Sequence, residues 1–238
     1  MPLSPNFGER RGGVRPELIV LHFTAMESCA AAAERLRDPE AEVSAHYLID
    51  YHGTVLALVP EEQRAWHAGA GEWAGRGDVN SRSIGIELAN TGTEPFGAPQ
   101  MAALEALLQG VMTRWAIPPA GVIGHSDMAP DRKFDPGPRF DWRRLARAGL
   151  SVWPDAEAKA PETAEADRAA FHAALTAFGY PSPPAIQPEA LLSAFRMRFR
   201  PAASGPLAAA DLAVAQALAR AYPCRSLSAP VDAARPSA

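Results

Sequence analysis

Apolar and polar positions alternate along the chain in three distinct ways, and each predicts a different kind of element. Leu18-Ile19-Val20-Leu21 leads through His22 to Phe23, and Gly121-Val122-Ile123-Gly124 leads to His125; both are short apolar runs of strand length that end at a histidine. In Ser83-Ile84-Gly85-Ile86-Glu87-Leu88 the period is two, so Ile84, Ile86 and Leu88 share one face of a strand and Glu87 points to the other. Residues 44–49 and 55–59 read as two strands joined by a tight turn in which Gly53 supplies the backbone freedom. The helical period appears in 99–115, where Met101, Leu104, Leu108, Met112 and Trp115 form one stripe before Pro118-Pro119. An alanine-rich helix is predicted at 29–37, capped by Ser28 and stopped before Pro39, and a short helix within 140–153. Three further amphipathic stretches follow, with Phe171, Ala174, Leu175 and Phe178 on the first, Leu191, Leu192, Phe195 and Phe199 on the second, and Leu212, Ala215, Leu218 and Tyr222 on the third.

Strands alternating with helices predict an α/β fold, a central mixed β-sheet flanked by helices, followed by a small all-α three-helix domain. A composition shift to Asp, Glu, Ala, Lys and Pro marks a linker at 155–164. The expected organisation is therefore a domain at 1–154, the linker, a helical domain at 165–225 and a frayed tail at 226–238.

Length and charge narrow the function. The 238 residues suit one medium domain plus a smaller one. A net charge of −4 without a Lys/Arg run argues against nucleic acid as a partner. No apolar run approaches the roughly 18 residues of a membrane span. The first thirteen residues lack an apolar leader core, so a cytoplasmic protein is expected, with an envelope location as the alternative if translation starts upstream. Cys29 and Cys224 are too few and too far apart for a disulfide framework or a thiolate metal site. Oligomeric state leaves no mark in the sequence.

The candidate chemistry centres on Gly124 to Gly137, GHSDMAPDRKFDPG, where a strand ends in a histidine and runs into a Pro- and Asp-rich loop. His22 and His125 with Asp135 provide two imidazoles and a carboxylate, and three such ligands with a fourth position open is the pattern of a catalytic zinc, whereas structural sites close all four. A single carboxylate leaves one bound Zn²⁺ net positive and able to lower the pKa of water to roughly 7. Asp127 and Asp131 share the loop and are alternative ligands. His46 is read as a core or supporting group and His52 as a solvated turn residue.

The segments LIVLHFTAM, SAHYLID, GTVLALVPEEQRAWHAG, DVNSRSIGIELAN and GHSDMAPDRKFDPG, in this order, resemble the motifs of the zinc-dependent N-acetylmuramoyl-L-alanine amidases. The resemblance implies hydrolysis of the amide between the lactyl group of N-acetylmuramic acid and L-alanine, with peptidoglycan or muropeptide fragments as partners. It favours Asp135, in its DPG context, as third ligand, places a catalytic glutamate at Glu87 as general base, and gives Lys133 the stabilisation of the oxyanion. In and next to the long aperiodic connection from Ala65 to Asn80, Arg64, Trp66, His67 and Asn80 are candidate substrate contacts, with Trp73 a second candidate sugar platform. Phage lysozyme-like members carry a tyrosine where this chain has Ala45, so that residue's role is not carried over. The tail resembles, more weakly, the three-helix peptidoglycan-binding module of wall hydrolases. Arg196, Arg198 and Arg200 are read there as a solvated basic face or a contact for an anionic glycan. Two rival readings are a non-catalytic peptidoglycan-recognition module, against which the complete ligand set counts, and a zinc amidase or peptidase of another substrate class.

Overall fold

The computed structural model of the protein describes residues 3–154, 166–182 and 186–224. The predicted linker and the predicted frayed tail at 226–238 lie outside the described residues. The elements in chain order are β1 (Phe7–Gly8), β2 (Leu18–Phe23), α1 (Cys29–Arg35), β3 (Tyr47–Ile49), β4 (Val55–Ala57), β5 (Arg64–Ala65), α2 (Val79–Arg82), β6 (Ser83–Leu88), α3 (Ala98–Trp115), β7 (Val122–Gly124), α4 (His125–Met128), α5 (Trp142–Arg147), α6 (Arg168–Phe178), α7 (Pro188–Phe199) and α8 (Ala209–Ala221). Local signals set most of their ends. The Ser28 side chain accepts from the Ala31 amide at 3.1 Å and starts α1, and Asp167 accepts from the Ala169 and Ala170 amides to start α6.

Five strands form one sheet in the order β4-β3-β6-β2-β7, parallel except for the β3-β4 hairpin. The sheet is mixed, as predicted, and β2, held between β6 and β7, is buried along its whole length. On one face Ile19, Leu21, Ile84, Ile86 and Leu88 pack against Met101, Leu104, Leu108 and Val111 of α3, the face predicted for β6. On the other face Leu18, Val20 and Ile123 join one apolar cluster with Phe171, Leu175 and Phe178 of α6 and Leu191, Phe195 and Phe199 of α7. The carboxyl-terminal helices thus cover the second face of the sheet.

That arrangement overturns the solvated basic face predicted on α7. Arg196 and Arg198 are 8% and 2% exposed. Arg196 and Arg200 both pair with Asp211 on α8, and Arg198 pairs with Asp127 on α4. Because α7 contacts both α8 and the β7–α4 segment, these arginines meet carboxylates of neighbouring elements and do not form a solvated face. Among the described residues no helix is long and apolar enough to cross a membrane.

Candidate active site

In parallel sheets of this kind, ligand sites form beyond the carboxyl ends of the strands. The register places His22 beside Glu87 across β2 and β6, and β7 runs directly into His125. All three belong to a cleft of about 300 Å³ that Lys133, Phe134 and Asp135 close from the loop after α4, and Met26, Arg35 and Leu36 from the α1 side.

His22 Nδ1, His125 Nδ1 and Asp135 Oδ2 form a triangle with edges of 2.9, 2.9 and 3.0 Å. Zinc held at about 2.0–2.1 Å by such donors keeps them roughly 3.3 Å apart in a tetrahedron, so this triangle is within a few tenths of an ångström of one face. The hydrogen bonds behind the ligands settle which nitrogens are bare. The Val79 carbonyl can only accept, and it takes the Ser83 hydroxyl proton at 2.6 Å. Ser83 Oγ then accepts from His67 Nε2 at 3.1 Å, which leaves His67 Nδ1 to accept from His22 Nε2 at 3.0 Å. His22 Nδ1 therefore carries a lone pair. His125 Nε2 donates to the Ala68 carbonyl at 2.9 Å, so its Nδ1 is bare as well. Two neutral imidazoles with oriented lone pairs and one carboxylate are a fitting donor set for a divalent metal.

Electrostatics agree with these protonation states. Burial, with His125 adding to it, pulls the His22 imidazole down to about 4, against the opposing pull of Asp135. Burial works against ionisation of Asp135, yet the imidazoles of His125 and His22 that face it outweigh that and hold its carboxyl far below the usual carboxylate range. Glu87 is pushed the other way: burial, then the negative charge of Asp135, raise its carboxyl to about 8, with Lys133 opposing. Its Oε2 is buried and makes no hydrogen bond among the described residues. A carboxyl that exchanges its proton near neutrality beside His22 and Asp135 has the chemistry of a general acid–base group.

The face of β6 that looks toward the cleft explains its unusual composition. Ser83 anchors His67, Gly85 makes room for it, and Glu87 enters the cleft. A Cβ on Gly85 would come within 2.4 Å of the His67 ring.

The remaining predicted contacts divide. Trp66 and His67 line the cleft, but both nitrogens of His67 are committed to His22 and Ser83. Arg64 and Asn80, predicted as substrate contacts, do not line it. Arg64 pairs with Asp78 at 3.1 Å and reaches Ser81 Oγ, while Asn80 Oδ1 accepts from the His67 and Ala68 amides at 3.0 and 2.8 Å. Both staple the 64–81 connection, because a long aperiodic loop needs its own polar groups satisfied. Trp73 is 4% exposed and packs edge-on against Phe178 and Tyr180, so it is a core anchor and no sugar platform. Asp127 points away from the triangle toward Tyr180 and Arg198, and Asp131 is exposed, which leaves Asp135 as the carboxylate of the cluster. His46 is buried, accepting from the Gly85 amide at 2.9 Å, and His52 is exposed. Sequence reasoning did not single out Met26, Arg35, Arg132 or Phe134 as cleft residues. Arg132 and Phe134 flank Lys133 inside one motif and Met26 ends the LIVLHFTAM motif, a usable signal, whereas nothing in α1 marks Arg35.

Comparisons with known proteins agree with this geometry. The family described as N-acetylmuramoyl-L-alanine amidase matches residues 12–138. The N-acetylmuramoyl-L-alanine amidase AmiD of Escherichia coli is 36% identical over 235 residues, covering 87% of this chain and 84% of AmiD. A solved complex of AmiD with anhydro-N-acetylmuramic acid-L-Ala-D-gamma-Glu-L-Lys superposes with a TM-score of 0.80 at 33% identity, over 92% of this chain and 99% of the other. AmpDh3 of Pseudomonas aeruginosa in complex with anhydromuramic pentapeptide gives 0.79 at 34% identity, over 90% and 94%. The 1,6-anhydro-N-acetylmuramyl-L-alanine amidase AmpD of Enterobacter cloacae is 46% identical over 159 residues, 60% of this chain and 85% of AmpD. A family match over more than half of the residues, together with a relative aligned along most of both chains, shows that this chain belongs to the N-acetylmuramoyl-L-alanine amidase family.

Proposed function

We propose that the chain hydrolyses the amide between the lactyl carbonyl of N-acetylmuramic acid and the amino group of L-alanine, acting on muropeptides with a 1,6-anhydro sugar. The observation that carries this reading is the convergence of His22 Nδ1, His125 Nδ1 and Asp135 Oδ2 within 3.0 Å of one another in a cleft that also holds Glu87 and Lys133. The anhydro-muropeptides bound by AmiD and AmpDh3 support the choice of substrate.

His22, His125 and Asp135 are the residues that would hold one zinc ion, which when bound supplies a Lewis acid for the scissile carbonyl and makes water a competent nucleophile near neutral pH. Glu87 takes the proton of the attacking water and returns it to the alanine nitrogen as the carbon–nitrogen bond breaks. Lys133 places its ammonium against the charge that develops on the carbonyl oxygen. Trp66 presents its ring to the sugar or the lactyl group, and His67 acts through His22 instead of touching substrate.

The experiment is incubation of the zinc-loaded protein with anhydro-N-acetylmuramoyl-L-Ala-D-γ-Glu-L-Lys and mass spectrometric detection of the free tripeptide. Glu87→Gln is expected to keep zinc and lose turnover by on the order of 10²-fold or more, while His22→Ala loses zinc and activity together. Binding of the muropeptide with no tripeptide released by the wild type would establish a recognition module instead, and cleavage elsewhere in the peptide a different substrate class.

A further inference from the structure

The carboxyl-terminal helices do more than cover the sheet. Asp127, two residues past His125 and fully buried, is used at both oxygens: Oδ1 accepts from the Tyr180 hydroxyl, and Oδ2 accepts from Arg198 Nη1 and from the Gly124 amide at 2.8 Å. Gly124 is the hinge between β7 and the ligand His125. The other amino group of Arg198 donates to the Val122 carbonyl on β7 at 3.0 Å and to Ser151 Oγ at 3.3 Å, and its guanidinium lies 4.2 Å from the Trp142 ring centre on α5. A single buried side chain from α7 thus joins the strand, the turn and the helix that position His125. Tyr180 and Phe178 meanwhile pack on Trp73, and the Gly179 carbonyl accepts from the Ala74 amide at 2.8 Å, which steadies the loop that carries His67.

We propose that Arg198 and Tyr180 are positioning residues for the metal centre, acting through Asp127 on the turn that carries His125. The carboxyl-terminal helices are then a working part of the hydrolytic unit and not a detachable module. Breaking an ion pair buried this completely is costly, and apart from Arg198 Nε, which has no partner among the described residues, its further bonds reach the Gly124 amide and the Val122 carbonyl beside the β7–α4 turn, the place where a displaced backbone moves a ligand. The inference rests on the reading that His22, His125 and Asp135 hold a divalent cation.

The test uses the full chain. Zinc affinity is measured by competition with a chromophoric chelator for the wild type, Tyr180→Phe, Arg198→Met and Arg196→Met, and amide exchange across residues 122–129 is followed in the metal-free proteins. Arg198→Met is expected to weaken zinc binding on the order of 10-fold and Tyr180→Phe by a few-fold, each with faster exchange of this turn. Arg196→Met, which breaks the separate pair with Asp211 inside the helical layer, lowers the melting temperature and leaves zinc affinity unchanged. Should Arg198→Met fail to fold, Tyr180→Phe removes one hydroxyl without changing shape and decides the matter. Wild-type zinc affinity and exchange in Tyr180→Phe, or equal losses in all three variants, would overturn the proposal. Failure of the wild type to bind zinc would instead remove the metal reading itself, and the exchange data distinguish the two.

Discussion

Replacing His67 by leucine offers a sharp test of how the metal ligands are prepared. In the native chain of hydrogen bonds, His22 gives its Nε2 proton to His67 at 3.0 Å and keeps Nδ1 free. With the acceptor gone, a proton on Nε2 has no partner in a buried setting. Nδ1, by contrast, faces Asp135 Oδ2 at 2.9 Å, so the proton moves to the atom that should bind metal. Returning His22 to its ligating form then leaves a buried N–H unmet, which costs about 1–3 kcal/mol. At roughly 1.4 kcal/mol per factor of ten, zinc affinity should fall by about 5- to 150-fold, in line with the 10- to 100-fold typical of groups that orient metal-bound histidines. His67→Asn, which keeps an oxygen acceptor close to the place of Nδ1, should recover part of the loss. Gly85→Ala should reproduce it, because the added Cβ would lie 2.4 Å from the His67 ring. Chelator competition reads the affinity, and ¹⁵N chemical shifts of the imidazoles read the tautomer directly. A folded His67→Leu protein with zinc affinity within twofold of wild type would refute the reasoning.

Two further outcomes follow from the charges in the cleft. For Glu87 the folded carboxyl sits at about 8 against an ordinary 4.5, so the folded state holds a proton that the unfolded state releases. Its effect on stability is nil below about pH 4.5 and becomes unfavourable as pH rises toward 8. Urea denaturation of the metal-free protein should show Glu87→Gln gaining stability over wild type by on the order of a few kcal/mol at pH 8 and almost nothing at pH 4.5, and a pH-independent difference would refute the assignment of a buried, protonated Glu87. Lys133→Met should lower kcat by on the order of 10²-fold with zinc affinity retained, as expected when a charge that stabilises the transition state is removed, and an effect confined to KM would show that Lys133 only binds substrate.

What the sequence made legible is what a short window decides. Ser28 caps α1, the period of α3 assigns Met101, Leu104 and Leu108 to its buried stripe although Val111 is buried in place of the partly buried Met112 and Trp115, and Ile84, Ile86 and Leu88 declare one face of β6. The ligands were legible for a chemical reason, since a zinc centre admits few residue types and strand ends are where such a sheet offers them. The orientation of β2 was not: Leu18, Val20 and His22 share one face and Ile19 and Leu21 the other, but both are apolar because both are covered, so alternation is silent. Glu87 alone pointed to the side on which the site would form.

The misreadings share a cause. A charged residue on an amphipathic helix reads as solvated unless its partner is known, and Arg198 meets Asp127 across 71 positions of chain. Asn80 and Arg64 look like recognition groups because loop polarity serves both ligands and the loop's own amides. His67 was noticed as chemistry, yet its role is fixed by two residues from different strands, 45 and 16 positions away. Ser83 and Gly85 carry no catalytic signature at all, and they follow only once His67 is placed between them and His22. A polar side chain's function is therefore set by which of its atoms remain uncommitted after folding. By that measure Glu87 Oε2 is buried without a partner, and His22 Nδ1 and His125 Nδ1 are held bare by the bonds behind them. The bonds that Arg64, Asn80 and Arg198 make go to the scaffold, and none of the three lines the cleft.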